Sequence, residues 1–145
     1  MTSPNGRRVV TSTQTPILRV EGVLIASIQQ SLDDDAVLAF EQALLERVAT
    51  EGAAGVVIDI TAVDVVDSFM ARSLNDMAAA VALLGTRLAI VGIQPAAAIT
   101  LVKMGFTIPA ALTALDLEQG LRLLRQSTAA AVAEPVGASP GAVDE

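Results

Sequence analysis

Apolar residues recur along this chain with two different periods, and each change of period marks a new element. From Ile17 to Ile28 the string ILRVEGVLIASI holds two β-branched runs hinged at Glu21 and Gly22. That pattern predicts two antiparallel strands joined by a very short turn. After Asp33, Asp34 and Asp35 the period lengthens, and Val37, Phe40, Leu44 and Val48 fall on one helical stripe with Gly52 beyond its end. A first helix from Asp34 to Thr50 follows. Val56 to Ile60 is a short, nearly continuous apolar run after Gly55, as expected of a strand buried on both faces.

Met70, Leu74, Met77, Val81 and Leu84 stripe a second helix that begins near Asp67 or Ser68 and stops at Gly85. Arg87 to Val91 reads as another buried strand. Pro95 suits the first turn of a short third helix capped at Gly105. Leu112 to Leu115 suits a short edge strand. Asp116 with Gln119 fits a capping box ahead of a last helix striped by Leu117, Leu121 and Leu124. The order β β α β α β α β α predicts an α/β layer fold: a mixed, mostly parallel sheet, opened by an antiparallel hairpin and packed against about four α-helices.

The ends read differently. Residues 1–15 carry no periodic apolar face beyond Val9 and Val10 and are expected to form a flexible leader. Residues 128–145 mix Ala with Pro135, Gly137, Pro140 and Gly141, a composition expected of a disordered tail. Ala129 to Val132 favours one or two further helical turns before Pro135, because Ala has the highest helix propensity. A single domain over residues 16–127 is left between them.

Composition narrows the chemistry. Among 145 residues there are 16 Asp and Glu against 9 Lys and Arg, a net charge of -7, and no His, Cys, Trp or Tyr. A His-based triad, a thiol nucleophile, the usual zinc ligand set and a disulfide framework are therefore excluded. The acidic balance argues against a nucleic-acid surface, since Arg7 and Arg8 form the only adjacent basic pair. Apolar runs break well before the roughly 18–20 residues a membrane helix needs. No apolar segment follows Arg7 and Arg8 as a signal peptide requires, so a cytoplasmic location is expected. Neither a G-x-G-x-x-G turn after the first strand nor a G-x-x-x-x-G-K-[ST] loop is present.

The stretch IDITAVDVVDSFMAR, residues 58–72, concentrates the remaining candidates at a strand-to-helix connection, where sites tend to sit. Asp59, Asp64 and Asp67 beside Ser68 could hold a divalent cation for a carboxylate-metal phosphotransferase. The plainer reading makes Asp59 a strand residue, Asp64 a turn residue and Asp67 a helix cap. Ser68 has two readings as well: a cap for the second helix, or a regulated hydroxyl whose phosphate would gain from the helix dipole. Asp33, Asp34 and Asp35 complement the positive end of the first helix. Phe40, Phe69 and Phe106 read as core, with Phe69 set apart by its position next to Ser68.

The string VVIDITAVDVVDSFMA resembles the STAS family of sulfate-transporter and anti-sigma-factor-antagonist domains. PILRVEGVLIASIQQSLDD, LLGTRLAIVGIQPAAAITLVKMG and TALDLEQGL are similar to the RsbS-type stressosome scaffolds of that family, so the likeness extends from residue 16 to about residue 125. The resemblance implies the STAS fold, no enzymatic activity, no cofactor and no metal. It implies that Ser68 is the phosphoacceptor, with Asp64, Asp67, Ser68 and Phe69 forming the loop that meets a partner.

The implied partners are RsbR-type STAS paralogues, an RsbT-type serine/threonine switch kinase that is sequestered and then released on phosphorylation of Ser68, and a PP2C-type phosphatase. The expected assembly is a large hetero-oligomer built from a chain that is a monomer or dimer alone. Thr100 falls at or close to a second acceptor position of the RsbR-type paralogues, although a buried Thr bonding its own backbone is the plainer expectation there. Small soluble antagonists of the family continue D-S-S-G-L, whereas this chain reads D-S-F-M-A. A small-ligand-binding STAS module is the alternative; it would need a pocket at the start of the second helix.

Overall fold

A computed structural model describes residues 15–30, 32–105 and 108–133. Residues 1–14 and 134–145, which hold most of the expected leader and tail, lie outside the described residues, as do Ser31, Phe106 and Thr107.

Strands β1 (Ile17–Val20) and β2 (Val23–Ser27) pair antiparallel, Ile17 opposite Ala26 and Val20 opposite Val23. The turn between them is the Glu21-Gly22 pair, both at positive φ (53° and 85°). Two central residues of that hand match the natural twist of the flanking strands, which explains why the hinge is so short. Helix α1 (Asp34–Glu51) opens on Asp33, whose Oδ1 accepts the Ala36 amide at 2.8 Å, and closes on Gly52 in the left-handed region. Val37, Phe40, Leu44 and Val48 are its buried residues. Each such side chain contributes about 1.5–3 kcal/mol when fully buried, so the apolar stripe outweighs the cap, worth about 1 kcal/mol, in holding α1 to the sheet.

Strand β3 (Gly55–Asp59), helix α2 (Ser68–Leu83), strand β4 (Leu88–Val91), helix α3 (Pro95–Lys103), strand β5 (Leu112–Ala114) and helix α4 (Leu117–Ala133) complete the order. The sheet runs β1-β2-β3-β4-β5, with every pair parallel except the first. Each parallel pair is joined through one helix, and right-handed crossovers place α1, α2 and α3 on the same face. Strand alternation divides the core accordingly. Leu24, Val56, Ile58, Leu88 and Ile90 pack with the three helices, whereas Val57, Ala89 and Val91 face Leu124 of α4. Burial on both faces accounts for the unbroken apolar runs of β3 and β4.

The last helix begins as its sequence indicates: Asp116 Oδ1 accepts the Gln119 amide at 2.9 Å, and Gln119 Oε1 accepts the Leu115 amide at 2.7 Å. It continues to Ala133, so the boundary drawn at residue 127 falls inside the helix, in line with the propensity of the alanines there. At the other end Thr15, placed within the leader by its composition, is buried. α4 lies close against the sheet at Gly120, where an added Cβ would stand 2.6 Å from Val91 Cγ1.

Candidate partner-binding loop and phosphoacceptor

The connection from β3 to α2 is built from alternating anchors and exposed positions. The Ile60 amide donates to the Val91 carbonyl at 3.0 Å and the Val63 amide to the Ile60 carbonyl at 2.9 Å, which folds the chain back at once on leaving the strand. Val63 and Val66 are each 1% exposed and pin the loop into the core. Asp64, Val65 and Asp67 between and after them face solvent, with Val65 65% exposed.

Asp67 ends the loop in extended backbone (φ -83°, ψ 176°), and its Oδ1 accepts the Met70 amide at 2.8 Å. Ser68 is therefore the first residue inside α2 and not its cap, which corrects the capping role open to it from sequence; Asp67 already satisfies that amide. Its side chain is exposed, whereas Phe69 is half-buried against the core and Met70 is buried. First-turn amides of a helix have no intrahelical acceptor, so the backbone around Ser68 presents donors to an anion.

The other candidates sort by position. Asp59 turns into the chain, its Oδ1 accepting the Thr61 amide at 2.9 Å and the Thr61 hydroxyl at 2.6 Å. Among the described residues no group of three carboxylates gathers to hold a metal ion, so Asp59, Asp64 and Asp67 do not form the ligand set one reading required. Thr100 is exposed, not buried as expected, because the inward residues of α3 are Ala97 and Leu101; its hydroxyl does bond the Ala96 carbonyl, at 3.0 Å. Ser73 is 5% exposed and so is shielded.

Thr61 and Gln94 were not singled out in the sequence. Gln94 holds the N-cap position of α3 yet makes no capping bond; its side-chain amide donates instead to the Thr61 carbonyl. Two signals were available: the Asp-x-Thr spacing of an Asx-type turn, and a Gln where Ser, Thr, Asp or Asn normally caps.

Shifted carboxyls lie away from this loop. Hydrogen bonds from Arg47 and then Arg19 hold Glu51 below the usual carboxylate range, and burial followed by the nearby Asp76 raises Glu41. A cleft of about 330 Å³ opens between the hairpin and α4, lined by Val20, Val23, Leu121 and Leu124 among others, and one of about 300 Å³ lies on α3 around Ile99 and Val102. Neither borders Ser68.

The STAS domain model matches residues 14–114, which takes in the whole sheet and the loop just described. The chain belongs to the STAS family. Within that family this STAS domain is similar to a solved variant of RsbS from Moorella thermoacetica, with 36% identity, a TM-score of 0.71, and coverage of 80% of this chain and 98% of that one. A chain from a structure described as the molecular architecture of the stressosome, a signal integration and transduction hub, matches at 37% identity and a TM-score of 0.64, over 78% of this chain and 98% of that one. The RsbT co-antagonist protein RsbRA of Bacillus subtilis (strain 168) is 28% identical over 114 residues, 78% of this chain. The STAS domain spans 42% of that relative's length. Among the described residues no helix is long and apolar enough to cross a membrane.

Proposed function

We propose that this STAS domain is a non-enzymatic scaffold of the stressosome kind, switched by phosphorylation of Ser68 in the cytoplasm. It assembles with RsbR-type paralogues, holds an RsbT-type serine/threonine kinase, and releases that kinase once Ser68 carries a phosphate; a PP2C-type phosphatase resets it. The observation that carries this reading is the division of labour at the start of α2. Asp67 makes the capping bond, and the exposed Ser68 hydroxyl is available for modification without loss of the cap. The likeness to RsbS and to a stressosome chain supports the scaffold role.

A phosphate at Ser68 adds about -1.5 to -2 charge at the positive end of α2, which tolerates it locally. Arg72 lies four residues on along the same exposed helix face, the spacing at which an acidic group and a following Arg attract. Outside the fold the effect is opposite. The new charge joins Asp64 and Asp67 beside Val65 and Phe69, so a partner that had packed an apolar contact there meets a dianion. The domain persists while the interface is lost.

The direct test is incubation with the cognate kinase and ATP, followed by peptide mass spectrometry. One dominant phosphate at Ser68, abolished in Ser68→Ala, is expected. A major phosphate at Ser31, Ser73 or Thr100 with Ser68 unmodified contradicts the assignment.

A further inference from the structure

We propose that Gln94 and Thr61 form a clasp that sets the β3–α2 loop and so governs how Ser68 is presented; the functional part of this inference rests on the reading of Ser68 given above. Thr61 is held by all three of its polar groups. Its amide and hydroxyl both donate to Asp59 Oδ1, at 2.9 and 2.6 Å, and its carbonyl accepts the side-chain amide of Gln94. Asp59 ends β3, and Gln94 stands at the entry to α3, 33 residues further along the chain from Thr61. The clasp thus ties together two connections that leave the same end of the sheet.

Two features set this contact apart from incidental surface polarity between neighbours. Gln94 makes no side-chain cap to its own helix, and its amide reaches across to the Thr61 carbonyl. Gly92 is shaped for it: at φ +79°, an added Cβ would stand 2.0 Å from Thr61 Oγ1 and 3.1 Å from Thr61 Cα. Only a residue without a Cβ lets the β4–α3 connection come so near.

The clasp is also placed to position rather than to stabilise. Thr61 is exposed, and the depth of the loop is already fixed by Val63, Val66 and the Ile60–Val91 backbone bond. What remains undetermined by those anchors is the lateral course of the exposed residues between Thr61 and Ser68. Gln94 supplies that restraint, and through it α3 and the loop move as one unit. Gln94 and Thr61 are positioning residues in this scheme, with no contact to the phosphate itself.

Hydrogen–deuterium exchange on the full chain tests the clasp without any kinase. In Gln94→Ala, and in Gln94→Glu, which places an acceptor against an acceptor, amides between residues 61 and 68 should exchange about tenfold faster while those of β3 and β4 keep their protection. Gln94→Lys, which restores a donor of similar reach, should return loop exchange towards that of the unaltered chain. Unchanged loop exchange in Gln94→Ala, or acceleration spread equally over β3 and β4, overturns the proposal. With the kinase, Gln94→Ala should raise KM for phosphorylation of Ser68 and leave kcat near that of the unaltered chain; an unchanged KM overturns the presenting role. If the unaltered chain takes no phosphate at Ser68, the functional reading above fails, and the exchange data alone decide the clasp.

Discussion

Asp67 and Ser68 divide the N-terminus of α2 between them: the Asp67 carboxylate accepts the Met70 amide at 2.8 Å, and the adjacent Ser68 side chain stands exposed outside that bond. Structural duty and candidate chemistry therefore sit on different residues. A phosphate can be added, or mimicked, next to a cap that stays intact.

Urea melts should separate the two roles. Asp67→Ala removes the cap and should cost about 1 kcal/mol, within the usual range of about 0.5–2. Ser68→Ala and Ser68→Asp should each stay within about 0.5 kcal/mol of the unaltered chain, as exposed substitutions do. A larger loss in Ser68→Ala than in Asp67→Ala would reassign the cap.

Two carboxyls should give opposite responses to neutralisation. Glu51, held low by Arg47 and Arg19, stabilises the fold above the ordinary carboxylate range, and its contribution is lost as pH falls through its lowered folded value. Glu41, raised by burial and Asp76, favours the fold when neutral, an advantage present at low pH and lost as pH rises through its raised folded value. At pH 7 Glu51→Gln should lower the urea midpoint and Glu41→Gln should raise it. The Glu41 difference should close once the pH lies below the ordinary carboxylate range, and the Glu51 difference only at still lower pH, below its lowered folded value.

Gly120 sets two effects against each other. Ala in a helix interior is better than Gly by about 1 kcal/mol, but the added Cβ would meet Val91 Cγ1 at 2.6 Å, and overpacking costs about 1–3 kcal/mol. Gly120→Ala should therefore be destabilising. In a Val91→Ala background the obstructing methyl is gone and the same change should become stabilising, a coupling that a double-mutant cycle reads directly.

Much of this architecture is written locally. The Glu21-Gly22 turn, the helical stripe of Val37, Phe40, Leu44 and Val48, and the doubly buried runs of β3 and β4 each follow from short-range pattern, and each stands in the structure as read. The choice between Asp67 and Ser68 as cap was not legible, because both residue types cap well and a one-residue offset leaves the apolar period unchanged. Thr100 was expected in the core because α3 is apolar almost throughout, yet only the Ala97–Leu101 line faces inward. Gln94 and Thr61 meet across 33 residues, and no local signal fixes such a pairing. The last helix runs on to Ala133, the extension that the Ala-rich stretch favours, and so passes the domain boundary at residue 127, which rested on the missing apolar face.

If Ser68 is the switch, its phosphate lets go of a bound kinase while the scaffold stays assembled. Size-exclusion chromatography with light scattering, run on this chain mixed with its RsbR-type paralogue and RsbT-type kinase before and after ATP, measures that claim most directly. A large particle should carry the kinase without ATP, lose it with ATP in step with phosphate at Ser68, and retain it in Ser68→Ala. A kinase that stays bound after Ser68 is fully phosphorylated, or that leaves equally from Ser68→Ala, contradicts it.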